Sequence, residues 1–251
     1  MSWYAYCLME QQLQANGIRA RRPFLLEGVQ GVNGAAVLSY PSGDFAVVVS
    51  EYDRGADGSG RIEEKTVLEH ARVVAACFRI GTVLPFRIGT IFDSDDALRQ
   101  AVRANKRTFG LSVARLRGKS EMHLKVLVKD GSFRDTAVPV KLPDTVGGEY
   151  LARLREQASK QRERQTKARA LSVQVHKLFN PLEEEVSCKR VNPEGMLIDI
   201  AHLIDSSTVE KYQNRYNSAT KQLRNCEITV SGPWPPYHFL PVKLRTVTGN
   251  S

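Results

Sequence analysis

The sequence predicts an α+β protein of two domains, 1–117 and 118–251. Length is the first reason, since 251 residues exceed what one hydrophobic core usually organises. The second is the order of periodicities after residue 118: strand–helix–strand–strand–helix–strand, the order of a ferredoxin-like split βαβ sandwich. The third is a long projecting helix over about 148–182, whose middle, REQASKQRERQTKA, is almost wholly polar. The first domain is expected to be a smaller α/β unit of related layout.

The elements follow in order. WYAYCLM opens the chain as an aromatic-rich strand, and a polar loop follows it. AVLSY and FAVVVSEY flank Pro41-Ser42-Gly43-Asp44, a strong hairpin signal. DRGADGSG is a polar connection, and EEKTVLEHARVVAACF then places Val67, Ala71, Val74 and Phe78 on one helical stripe, with Leu68 and Ala75 beside it. TVLPF reads as a short strand that RIGTIF continues. Asp93 or Ser94 can cap a single helix over DSDDALRQAVRANKRTFGLSVARL, acidic at its start and basic later. In the second domain, Met122, Leu124, Val126 and Val128 alternate along a strand, and the loop FRDTAVPVKLPDTVGG leads to the long helix. EVSCKRV and GMLIDIAHLID form strands around Asn192-Pro193-Glu194-Gly195. Ser206 or Ser207 caps VEKYQNRYNSATKQLRN, and CEITVSG is the last strand.

Composition narrows the classes. Hydrophobic residues make up 42% of the chain and the mean hydropathy is −0.32, enough for true cores and too polar for membrane embedding. No run of about 18 apolar residues occurs, and MSWYAYCLMEQQ lacks the basic start of a signal peptide. The scattered Cys7, Cys77, Cys188 and Cys226 are expected to be reduced, mostly buried thiols in a cytosolic protein. Net charge is +9, and between Gly147 and Asn180 eight Lys and Arg face three Glu. That concentration makes an RNA-binding module of ferredoxin-like type the rival reading. Against it, HLKVLV and LIDIAHLI carry no aromatics, and the basic helix interleaves none between 151 and 178. The simpler reading of the helix is a solvated face, apolar only at Leu151, Leu154 and Ala158 and again at Leu171, Val175 and Leu178. Such a helix either leans on the other domain through its ends or offers its middle to a partner.

Catalytic signatures are not found. The histidines at 70, 123, 176, 202 and 238 fall on five elements, none at ligand spacing to a carboxylate or thiol. His70 reads as a structural histidine, since the adjacent Glu69 points elsewhere on a helix. GVQGVNG at 28–34 is spaced wrongly for a phosphate loop and reads as a turn. Neither catalytic residues, nor a metal, nor a cofactor is expected, and the protein is not expected to be an enzyme.

Two segments stand outside this account. LPFRIGT sets Pro85 in a strand and Arg87 among apolar neighbours, as an edge strand or bulge would. GPWPPYHF follows a strand with three prolines that cannot continue a ladder and two large aromatics, Trp234 and Tyr237. Either these rings fold back as a lid over the second domain's sheet, or they form a stiff docking surface.

Together these segments carry a resemblance. Leu84, Pro85, Phe86, Arg87, Gly89 and Thr90, with Gly232, Pro233, Trp234, Pro235, Pro236, Tyr237 and Phe239, resemble the paired motifs of the gas vesicle protein GvpF/GvpL family. Trp3-Tyr4-Ala5-Tyr6, Leu68 and His70, and Gly118, Lys119 and Glu121 match too, so the marks span residues 3 to 239. Ile88 departs from the pattern, where the family has an aromatic, and so does Ala201-His202-Leu203-Ile204-Asp205. The resemblance implies two α/β domains, the long helix of the second being coiled-coil-like, and a non-enzymatic role in forming gas vesicles, hollow protein shells. It implies contact with the major shell subunit and other accessory proteins in the cytoplasm or at the vesicle; nucleic acid, membrane and small-molecule partners are not expected.

Overall fold

The computed structural model describes residues 1–11, 19–53, 63–128, 147–179, 185–189, 196–223 and 226–240. The fold is mixed α/β with two sheets. The chain groups into two compact units, Met1–Glu121 with the chain from Trp234 onward, and Met122–Pro233. The expected boundary at 117/118 lies near the first crossing. The tail expected in the second domain groups with the first.

The first unit is built on β1 (Ser2–Glu10), β2 (Phe24–Gln30), β3 (Ala36–Ser42) and β4 (Phe45–Tyr52), then α1 (Glu64–Ile80), β5 (Val83–Pro85), β6 (Ile91–Phe92), α2 (Asp95–Ala104) and α3 (Lys106–Leu116). Its strands run β2-β3-β4-β1-β5, with β6 also on β1. β1 is therefore central, flanked antiparallel by β4 and by β5 and β6, and seven of its nine residues are buried. A strand buried on both faces should alternate strictly, yet Tyr4, Tyr6, Cys7 and Met9 all enter one core. A register shift between Ala5 and Cys7 against β4 explains this, because the extra residue moves the odd positions onto the face used by the even ones. Cys7 and Cys77 are buried free thiols in that core, and burial pushes the Cys7 thiol well up.

Three elements differ from expectation. FLLEGVQ, taken as part of a polar loop, is strand β2 at the sheet edge; with Phe24 and Leu25 exposed, it shows little of the burial pattern that marks a strand. The buried stripe of α1 is His70, Val73, Val74 and Cys77, one position out of phase with the expected stripe; Val67 and Leu68 are exposed. The intervening histidine hid that face from a reading based on apolar residues. The single helix over 93–116 is two, since Asn105 leaves helical geometry (φ −107°, ψ 9°) and its Nδ2 donates to the Ala101 carbonyl at 2.9 Å. Ser94 caps α2 by accepting the Ala97 N–H at 3.1 Å.

The second unit holds β7 (Lys119–Val128, begun in the first), α4 (Gly147–Phe179), β8 (Glu185–Lys189), β9 (Met196–Asp205), α5 (Val209–Gln222) and β10 (Cys226–Trp234), with sheet order β10-β7-β9-β8. Met122, Leu124 and Val126 of β7 meet Ile200 and Ile204 of β9, Val175 of α4, and Tyr212 and Ala219 of α5. Each large apolar side chain so buried contributes about 1.5–3 kcal/mol. His202 shares this interior, its Nδ1 2.6 Å from the Tyr212 hydroxyl. The turn before α5 is held by Asp205, whose Oδ1 accepts the Ser207 N–H at 2.8 Å, rather than by a serine cap. The turn expected at 192–195 and the loop expected at 129–146 lie outside the described residues.

Candidate functional site

Gly89 organises the first motif. It sits at φ +83°, a left-handed conformation that favours glycine, so the chain turns sharply between Arg87 and Thr90. The Arg87 carbonyl accepts the Thr90 N–H at 3.0 Å and the Thr90 hydroxyl at 2.6 Å. Two backbone bonds hold the turn to the central strand: Phe86 N–H to the Tyr6 carbonyl and Ala5 N–H to the Thr90 carbonyl, each 2.9 Å. Leu84, Pro85 and Phe86 are buried and Arg87 is exposed, while β5 is an edge strand, where Pro85 costs no ladder bond beyond its own.

Tyr4 ties this turn to α1. Its hydroxyl accepts the Gly89 N–H at 3.2 Å and lies 3.1 Å from His70 Nδ1. Burial pushes the His70 pKa down to about 4, which the nearby Phe86 carbonyl offsets only in part, and it pushes Tyr4 up to about 12. Both groups are thus neutral near pH 7. Three of the family marks (the opening aromatics, His70 and the RIGT turn) form one hydrogen-bonded cluster around the buried Tyr4 and His70, with structural geometry.

Tyr6 supports the adjoining GVQGVNG turn. Its hydroxyl accepts the Val32 N–H at 2.7 Å and lies 2.7 Å from the Ser50 Oγ. A Cβ on Gly31 would stand 2.3 Å from that hydroxyl, so the glycine is required by close approach. On the other face, Asp95 collects the Trp3 indole N–H at 2.8 Å and the Tyr40 hydroxyl at 2.5 Å, and these bonds hold its carboxyl below the usual range. Arg99 closes the group by donating to the Tyr40 oxygen at 2.8 Å.

The second motif is split by its surroundings. Trp234 ends β10 with 45% of its surface exposed, whereas Pro235, Pro236 and Phe239 are buried. Tyr237 packs against the core that contains Tyr4, Cys7 and Val83, and burial drives its hydroxyl pKa far upward. The lid imagined over the second domain's sheet is therefore a plug in the first unit. Glu121, fully buried, fixes it: Oε2 accepts the His238 backbone N–H at 2.8 Å, and Oε1 lies 2.6 Å from His238 Nδ1. Arg115 adds a bond to the Phe239 carbonyl at 3.2 Å.

Sequence reading singled out both motifs and Glu121 but gave His238 no partner. The two residues stand 117 positions apart, so no local spacing could have joined them.

Comparison with known proteins agrees with the geometry. A curated relative, gas vesicle protein L of Streptomyces sp. (strain CB03234), is 25% identical over 248 residues, covering 90% of this chain and 92% of the relative. The crystal structure of GvpF from Anabaena sp. PCC7120 matches with a TM-score of 0.76 at 17% identity, over 96% of this chain and 98% of that one. GvpF from Microcystis aeruginosa matches at 0.70 and 16%, over 96% and 99%. Residues 2–241 fit the profile of the family described as gas vesicle synthesis protein GvpL/GvpF, and the chain belongs to that family.

Proposed function

We infer that this protein is an assembly factor or minor shell-associated component of gas vesicles, acting without catalysis through contact with the shell subunit and other accessory proteins. The observation that carries the reading is the family match across residues 2–241. The side-chain geometry supports it. Polar groups of the motifs bind one another inside the chain, as in the Glu121–His238 and Tyr4–His70 pairs. What faces solvent includes the apolar edge residues Phe24 and Leu25 and the ring of Trp234, surface suited to engaging an aggregation-prone subunit before it polymerises.

The second unit reads as ferredoxin-like, supported by its element order and the strand order β10-β7-β9-β8. Among the described residues no helix is long and apolar enough to cross a membrane, in keeping with work in the cytoplasm and at the vesicle shell. Leu84, Pro85, Phe86, Arg87, Gly89 and Thr90 then serve as scaffold, and Trp234 is the member of the second motif placed to touch a partner. The test is deletion of the gene, with co-purification of the tagged protein and the shell subunit. Absent or misshapen vesicles and recovery of the subunit are expected; normal buoyant vesicles would overturn the reading.

A further inference from the structure

The long helix α4 has an order that its polarity conceals. Counting in sevens from Leu151, the fifth position is Arg155, Arg162 and Arg169, and the first and fourth open with Leu151, Leu154 and Ala158. In a coiled-coil heptad these are an arginine column flanking a seam. Leu151, Leu154, Arg155, Ala158, Arg162 and Arg169 are all exposed. The helix is anchored to its own unit near the other end, by Val175 and Leu178. At 100° per residue the leucine pair and Ala158 fall within an arc of about 60°, roughly a third of a turn from the direction of Val175 and Leu178. The seam therefore lies on the flank of the side that packs into the helix's own core.

The neighbouring charges do not neutralise the column. Lys160 is drawn to Glu156, 2.7 Å away on another side of the helix, while among the described residues Arg155, Arg162 and Arg169 form no ion pair. Successive guanidinium groups recur about every 10.5 Å along the axis, since seven residues rise about 1.5 Å each. A second α-helix with a carboxylate at every seventh position matches that spacing by construction. An antiparallel copy of α4 would set the arginine column against itself, which disfavours self-pairing.

We propose that the first two-thirds of α4 is a docking face for an acidic amphipathic helix of another protein, with apolar residues seated on Leu151, Leu154 and Ala158 and carboxylates on Arg155, Arg162 and Arg169. The inference rests on α4 alone and stands whatever the role of the chain in vesicle assembly.

The experiment uses the full chain and a synthetic helix of about four heptads, Leu on its seam and Glu beside it, followed by fluorescence anisotropy. Binding is expected, weakening at least tenfold as salt rises through the range that screens exposed charges. The triple substitution Arg155→Glu, Arg162→Glu, Arg169→Glu should lose at least tenfold for the acidic helix and gain affinity for the version carrying Lys. The triple Arg→Gln variant serves as a milder second probe, with circular dichroism to check that each variant folds. Equal binding of a composition-matched scrambled peptide, or unchanged affinity in both triple variants, overturns the proposal. So does tighter binding of single-stranded RNA that the Arg→Gln variant loses, which would make the face a polyanion site. Self-association that the same variant abolishes would assign the face to a second copy and overturn it equally.

Discussion

Glu121 grips His238 through both carboxylate oxygens, one on the backbone N–H at 2.8 Å and one on the ring Nδ1 at 2.6 Å. A fully buried carboxylate is costly unless it is hydrogen-bonded, and here the residues that satisfy it are also those that seat the tail. Glu121→Gln keeps an acceptor for the His238 N–H but replaces the carboxylate oxygen at the ring Nδ1 with a neutral NH2. Loss of about 1.5–3 kcal/mol is expected, the range for hydrogen bonds to a charged group. Urea unfolding monitored by Trp fluorescence measures it; an unchanged midpoint would show that the pair contributes nothing.

His70 gives a pH dependence with a defined sign. Its folded pKa, about 4, lies below the ordinary 6.5, so the unfolded chain takes up the proton more readily. The stability from keeping the ring neutral is complete above about pH 6.5 and is lost as pH falls toward 4, amounting to roughly 3 kcal/mol. His70→Gln should flatten this part of the profile, so that the gap between wild type and variant narrows from pH 7 to pH 4. A constant gap in melting temperature would refute it.

The aromatics of the tail should separate by burial. Phe239 is 4% exposed, and Phe239→Ala should cost about 3–5 kcal/mol, as core phenylalanines do. Trp234→Ala should cost less than about 1 kcal/mol, the usual range for an exposed site, while weakening recovery of the shell subunit in a pull-down. A large stability loss at Trp234 would make that ring part of the plug.

Gly31 and Tyr6 should be coupled. Gly31→Ala forces a methyl group against the Tyr6 hydroxyl and should destabilise by about 2 kcal/mol or more. In the Gly31→Ala/Tyr6→Phe double variant the clash with oxygen is gone, so the two losses should sum to more than the pair together. Strict additivity in thermal unfolding would show that the chain relaxes elsewhere.

What could be read from sequence follows from where the physics is local. The strands β1, β3 and β4 and the helices α1 and α5 declare themselves by periodicity, turn residues and flanking charge. β2 does not, because an exposed edge strand loses the alternation that identifies it. The α1 face was misphased because its first buried position is a histidine, and the bulge in β1 cannot be seen without its partner strand. The site divides in the same way. LPFRIGT and GPWPPYHF stand out as motifs because glycine and proline fix backbone geometry, a property of single residues. Their partners, Tyr4, His70 and Glu121, are chosen by tertiary closure, which no window of sequence contains.

The tail that groups with the first unit also sets an order of events. Glu121 is made early, and His238, its partner, only after a further 117 residues. On the ribosome the first unit must wait with an open place while the whole of Met122–Pro233 emerges. Until then the core that Tyr237 later packs against lacks that ring, and the unit closes only once His238 has been made.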